Sequence, residues 1–254
     1  MAYIEVRLPT GDIGIGSAFH IGDGIFVTAR HVVEHNQLLQ MRITEPVGIS
    51  LEEFYRDLGA SSEQIADAAE AYKRVSGRIP RFKHFLEPLH IASGPIYDTD
   101  PTVDLAIISV RDIHPKAGAV KLGWHYDDFI YRDVWQLNEA IVLGYPPIPF
   151  TAEPHLVAAK AQINAFATLR DCHFVHFILS CVPRGGFSGG LALHEEGFAL
   201  GVITRALTAA GSAIESGYFA VLSIERIRTC LEANGILPST QSTPPWSSPP
   251  TSVS

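Results

Sequence analysis

The sequence predicts a mainly β protein built from two small antiparallel barrels, with a helical insertion in the first and a helix closing the second. Short apolar runs punctuated by Gly and Pro recur over residues 3–44 and 103–110, and again over 135–222. The 254 residues are enough for sizeable cores on a one- or two-domain plan, and no internal repeat of fixed period is visible. These features divide the chain into a first barrel over 1–115, a second barrel with its helix over 116–236, and a tail over 237–254.

Each element has a local reason. Gly11 to Gly16 lie in strand-like sequence before Phe19 and read as bends. Ile25, Phe26 and Val27 form a strand that runs into Thr-Ala-Arg-His, so His31 sits where a strand ends and a short helix starts. Ser50-Leu-Glu-Glu53 and Ser61-Ser-Glu-Gln64 both match the capping-box pattern. The second opens a run with Ile65, Ala68, Ala69, Tyr72 and Val75 at helical spacing, stopped by Gly77 and Pro80. A helical hairpin at 50–78 is therefore expected between the His31 and Asp104 strands, as packing decoration or as a docking surface for a regulatory protein. Residues 103–110 are an acidic residue leading a buried strand. Residues 223–236 predict a helix capped by Ser223 and ended by Gly235, with Ile224, Ile227 and Leu231 as its packing stripe. The Pro/Ser/Thr-rich stretch from 237 onward cannot bury a core and is expected to be disordered.

Chemistry concentrates in Arg184-Gly-Gly-Phe-Ser-Gly-Gly190. A serine hydroxyl is a poor nucleophile until a base takes its proton, and the oxyanion it generates needs preorganised donors. Backbone amides serve only where the chain bends sharply toward the substrate, a conformation that glycine permits. Ser188 is the candidate nucleophile, and the amides of Gly186 and Ser188 are the candidate oxyanion hole. A glycine-rich turn between two strands would look similar. Two other segments favour catalysis: His31 at its strand end, and Asp104, placed to accept a hydrogen bond from an imidazole. The chain order His31, Asp104, Ser188 is one known order for a nucleophilic triad.

On these residues the chain resembles a trypsin-fold serine peptidase, in style the protease domain of the HtrA/Deg group. The landmarks span most of residues 12–226: Gly-Ser-Ala-Phe-His-Ile, Thr-Ala-Arg-His-Val-Val, Asp-Leu-Ala-Ile-Ile, Ile-Val-Leu-Gly-Tyr-Pro, the Ser188 loop and Gly-Val-Ile-Thr-Arg-Ala. The resemblance implies two six-stranded-type barrels, with His31 as general base then acid, Asp104 orienting it and Ser188 attacking the scissile carbonyl. It implies Thr204 as a hydroxyl beside Asp104. It also implies a substrate pocket floored by Val182 and walled by Thr204, Arg205, Ala206 and the region of Gly217. An apolar floor cannot pair a buried lysine or arginine, so cleavage after apolar residues is expected. Phe187 stands where zymogen-activated relatives carry an aspartate, and Leu191 where a proline is common. Both departures suggest an oxyanion loop ordered without a buried N-terminal ammonium. HtrA/Deg proteins usually continue into a PDZ module, and none is expected here.

Composition narrows the partners. A net charge of −8 with scattered basic residues argues against nucleic acid. Phosphate-binding glycine motifs are missing, and no cofactor is expected. Cys172, His173 and His176 crowd one strand, where adjacent side chains point to opposite faces, so no metal is expected. His20 and His35 flank His31 but follow no comparable strand end. The first residues do not read as a secretory signal, no stretch is long and apolar enough for a membrane span, and the three cysteines suit a reducing compartment. A cytoplasmic serine endopeptidase acting on polypeptides is the expectation. A peptide-binding module derived from such an enzyme, and an esterase or acyltransferase using the same triad, share every one of these residues.

Overall fold

The computed structural model describes residues 1–47, 61–67, 70, 83–113, 117–123, 136–151, 153–181, 185–208 and 215–241. The chain divides into two compact units, residues 43–87 and the remainder. Thirteen strands are described: β1 (Ala2–Arg7), β2 (Ile13–Gly22), β3 (Ile25–Thr28), β4 (Gln37–Val47), β5 (Lys83–Pro88), β6 (His90–Tyr97), β7 (Ala106–Arg111), β8 (Glu139–Gly144), β9 (Val157–Leu169), β10 (Cys172–Ser180), β11 (Leu191–His194), β12 (Ala199–Thr208) and β13 (Glu215–Ser223). Helices α1 (Arg30–Val33) and α2 (Ile224–Ala233) accompany them.

The architecture is the expected mainly β, two-barrel one, with a difference between the halves. The second barrel closes, in the order β10-β13-β12-β11-β8-β9. The first is a seven-stranded sheet, β5-β4-β1-β2-β3-β7-β6, a half-barrel that does not close among the described residues. Its pairing is antiparallel throughout the site-bearing strands, with Ala2 opposite Ala18, Phe19 opposite Val27 and Thr28 opposite Ala106. That last register matters most. It sets the end of β3, three residues before His31, beside the start of β7, two residues after Asp104.

One apolar cluster joins the two barrels. Phe19, Ile21, Val27, Leu105 and Ile107 from the first meet Leu191, Val202 and Leu222 from the second, together with Ile224, Ile227 and Leu231 on α2. The packing stripe expected on the closing helix is the one observed, and Gly235 follows the helix at φ +64. Ser223 occupies the N-cap position with extended dihedrals, yet its hydroxyl bonds the Glu225 carboxylate instead of capping an amide. A second cluster fills the closed barrel, with Ala140, Val142, Ile163, Phe177, Leu179, Ile203, Phe219 and Val221.

The tail departs from expectation at its start. Residues 239–241 form a 3-10 turn docked on β2, so disorder does not begin at 237. Gln241 is buried; its amide nitrogen donates to Ile21 O (2.6 Å) and Val120 O (2.7 Å), and its oxygen accepts from Leu122 N (3.0 Å). Ser239 N donates to the Asp23 carboxylate at 2.8 Å. A polar segment can order without a core of its own when the end of a neighbouring strand and an adjoining loop offer it hydrogen-bond partners. Residues 242–254 lie outside the described residues.

Within the 43–87 unit, residues 62–67 are helical, and the second capping box forms as read: Ser61 N donates to Gln64 Oε1 (2.8 Å) and Gln64 N to Ser61 Oγ (3.3 Å). The first helix of the expected hairpin, near 50–60, lies outside the described residues.

Two polar features generate predictions. Asp98, almost fully buried, is ion-paired to Arg226 of α2, whose guanidinium stacks 4.3 Å over the Phe174 ring. Arg226→Ala strands a buried carboxylate and should cost about 3–5 kcal/mol in urea unfolding; a loss under 1 kcal/mol would contradict this reading. His20 and His176 are buried, and burial holds both below their ordinary pKa. Their ring Nδ1 atoms face the carbonyls of Gly118 (3.0 Å) and Phe174 (2.9 Å), and Gly24 N donates to His20 Nε2 at 3.3 Å, a pattern for neutral imidazole. The unfolded chain takes up these protons near pH 6.5 and the folded chain only at lower pH. Stability is therefore full above about pH 6.5 and falls as pH drops below it. Melting temperature should decline from pH 7.5 to 5.5, with a shallower slope in His20→Gln; a flat wild-type profile would exclude the effect.

Candidate active site

His31 is held by a strand-to-helix junction. β3 ends at Thr28, Ala29 is extended (φ −77, ψ 141), and α1 begins at Arg30. Two β-branched valines, Val32 and Val33, anchor the far side of that short helix in the core, leaving His31 exposed. Asp104 lies just before β7, between buried Val103 and Leu105.

Both oxygens of Asp104 go to His31. Oδ2 meets the ring Nδ1 at 2.8 Å, and Oδ1 accepts the backbone N–H at 2.9 Å. A carboxylate only accepts, so Nδ1 carries the proton and Nε2 is left as the basic nitrogen. The Asp104 side chain is 14% exposed and that of His31 51%, so the pair has a shielded acid and an accessible imidazole.

Ser188 comes from the other barrel, on the turn before β11. Gly186 (φ +93) and Gly189 (φ +80) have backbone conformations that favour glycine. A Cβ on Gly189 would lie 2.1 Å from Ser17 O and 2.2 Å from Thr28 Oγ1, and one on Gly186 would lie 2.4 Å from Tyr145 O. Phe187, between them, is buried in the barrel core with its ring 5.8 Å from that of Phe219. Apolar burial thus anchors the loop. Gly190 N donates to Phe187 O (2.8 Å) and Gly189 N to Ile203 O (2.7 Å), whereas the amides of Gly186 and Ser188 donate to no backbone carbonyl among the described residues.

A cleft of about 570 Å³ brings these groups together, lined by His31, Asp104, Ser188, Thr204, Arg205 and Ala206, with Arg30, Glu34 and Asp171 among its charged residues. Among the described residues no hydrogen bond joins Ser188 to His31, and catalytic hydrogen bonds often tighten only with substrate bound. Thr204 is fully buried, and its hydroxyl donates to Ala220 O at 3.0 Å. The pairing of β12 with β13 shifts register between Ile203 and Arg205, and this irregularity at Thr204 re-aims the side chain. Arg205 is ion-paired to Asp171 at 2.7 Å and Arg30 to Glu34 at 2.6 Å. The Arg205 hydrogen bond holds the Asp171 carboxyl below its usual range. Gly217 (φ +80) does not line this cleft; its carbonyl accepts from Cys181 N at 3.1 Å. Val182 lies outside the described residues.

The sequence reading gave no role to Ser17 or Thr28, which the structure places against the Ser188 loop. Ser17 N donates to Ser188 O at 2.8 Å, and Thr28 Oγ1 to Ser17 O at 2.7 Å. The available signal was a serine between Gly16 and Ala18 in an otherwise apolar strand.

No family model and no curated protein matches this sequence. Solved structures do. The Rv3671c protease of M. tuberculosis in its active form aligns at 17% identity and TM-score 0.56, over 94% of this chain and 83% of that one. The same protease in an inactive form aligns at 17% identity and TM-score 0.51, over 92% and 88%. The HtrA-type protease AlgW with tripeptide aligns at 15% identity and TM-score 0.54, over 92% of this chain and 60% of that one. The chain has the trypsin-like fold of HtrA-type proteases and spans about three-fifths of AlgW's length.

Proposed function

We propose that this protein is a serine endopeptidase working through an acyl-enzyme. The observation that carries the reading is the two-point clamp of Asp104 on His31 (2.8 and 2.9 Å), in a cleft that Ser188 also lines. A carboxylate that only oriented a surface loop would have no need of both contacts to one histidine. The fold similarity to proteases, one of them described with a tripeptide, supports a polypeptide substrate.

The chemistry follows from the geometry. Ser188 Oγ attacks the substrate carbonyl carbon as His31 Nε2 takes the hydroxyl proton, and the carbonyl π pair moves onto oxygen. Asp104 stays ionised and stabilises the imidazolium. The oxyanion is received by the amides of Gly186 and Ser188, held in place before the reaction by the glycine-rich turn. Collapse expels the amine, which leaves with the proton from His31. Water then repeats the sequence on the ester and regenerates Ser188. Thr204 supports the floor of the cleft through its bond to Ala220, beside Asp104. Arg205 and Ala206 form its wall, and the resemblance implies an apolar floor, Val182, for the residue before the scissile bond. No helix among the described residues is long and apolar enough to cross a membrane.

Three experiments test this. A fluorophosphonate probe should label the wild type, and Ser188→Ala and His31→Ala should each remove labelling and nearly all casein hydrolysis. Asp104→Asn should lower kcat by about 10⁴ through loss of the correct tautomer. A folded wild type that neither labels nor hydrolyses casein or a p-nitrophenyl ester would refute catalysis; ester turnover alone would make it an esterase. On a peptide panel, leucyl and phenylalanyl substrates should be cut in preference to arginyl ones, and the reverse order would remove the apolar pocket from the assignment.

A further inference from the structure

We propose that Ser17 is a positioning residue that sets the oxyanion-binding loop from the opposite barrel, an inference that rests on the acyl-enzyme reading above. Ser17 belongs to β2 in the first sheet, and the loop it touches precedes β11 in the second. Its side chain is fully buried. Its hydroxyl donates to Gly186 O at 2.6 Å and accepts from Tyr145 N at 2.8 Å. Its backbone N–H donates to Ser188 O at 2.8 Å, and its carbonyl accepts from Thr28 Oγ1 at 2.7 Å. Every polar atom of this residue is used, and all four bonds converge on the segments that build the cleft.

The pattern is more specific than core satisfaction requires. The two residues whose amides receive the oxyanion are the two whose own carbonyls Ser17 holds. Pinning a residue's carbonyl fixes the rotation about its Cα–C bond. What remains free for the Gly186 amide is then φ, held at +93 in a region that favours glycine. The tie to Tyr145 N fixes the neighbouring segment, whose carbonyl leaves no room for a Cβ on Gly186. The tie to Thr28 reaches the end of β3, three residues before the general base, so one serine couples the frames of base and oxyanion hole.

Removing the hydroxyl takes from buried Gly186 O the donor that Ser17 supplies. The 186–187 peptide is then driven to seek another partner. Such a reorientation weakens transition-state binding more than substrate binding, because the oxyanion exists only after attack. The signature is a loss in kcat with KM nearly constant.

The test compares wild type, Ser17→Ala and Ser17→Cys, the last keeping the shape with a weaker donor. Ser17→Ala should lower kcat at least about tenfold with KM within about twofold, and slow fluorophosphonate labelling by the same factor. Ser17→Cys should recover part of the loss. Folded Ser17→Ala with wild-type kcat, or with raised KM and unchanged kcat, overturns the inference while leaving the protease reading intact. If Ser17→Ala does not fold, Ser17→Cys decides: reduced kcat at constant KM supports the role, and wild-type kcat overturns it. A wild type inert to substrate and probe overturns the acyl-enzyme reading and the role of Ser17 with it.

Discussion

Burial of one apolar seam between two β-sheets is the constraint on which the rest of this structure depends. His31 and Asp104 stand on the first sheet and Ser188 on the second, so the cleft exists only while Phe19, Ile21, Leu105 and Ile107 stay packed on Leu191, Val202 and Leu222. Each such side chain taken fully out of water contributes about 1.5–3 kcal/mol, set against the conformational entropy of ordering the chain. Helix α2 extends the seam with Ile224, Ile227 and Leu231, and the Gln241 turn then closes it with hydrogen bonds to the first sheet. The polypeptide thus crosses from the second barrel back to the first after Ser188.

The Ser188 loop shows how a polar function is held by apolar means. Phe187 sinks into the closed barrel and fixes the middle of the turn, while the glycines on either side take up the sharp bends. Anchoring through hydrophobic burial is insensitive to pH. The charges around the cleft are internally paired, Arg30 with Glu34 and Arg205 with Asp171, so neither sign dominates its lining. The exposed Arg205–Asp171 pair contributes little to stability.

The sequence by itself determined the β architecture and the closing helix and marked His31, Asp104 and Ser188 as candidates, because these are written in short-range terms. Period-two apolar runs, a strand that ends in Thr-Ala-Arg-His, an acid leading a buried strand and a serine among glycines each occupy fewer than ten residues. The Ser61–Gln64 capping box was legible for the same reason. Contacts between distant segments were not legible. Ser17 looks like one small residue in a strand, and only the docking of β2 on the Ser188 loop, 169 residues away from Gly186, gives it four partners. Thr204 was placed beside Asp104 by resemblance, while the irregularity in β12 directs its hydroxyl to Ala220. Gln241 sits in a composition that signals disorder, yet the end of β2 and the Val120 loop supply the partners that its own segment lacks. Local pattern decides what an element is; which groups it satisfies depends on long-range packing, and that only the tertiary structure decides.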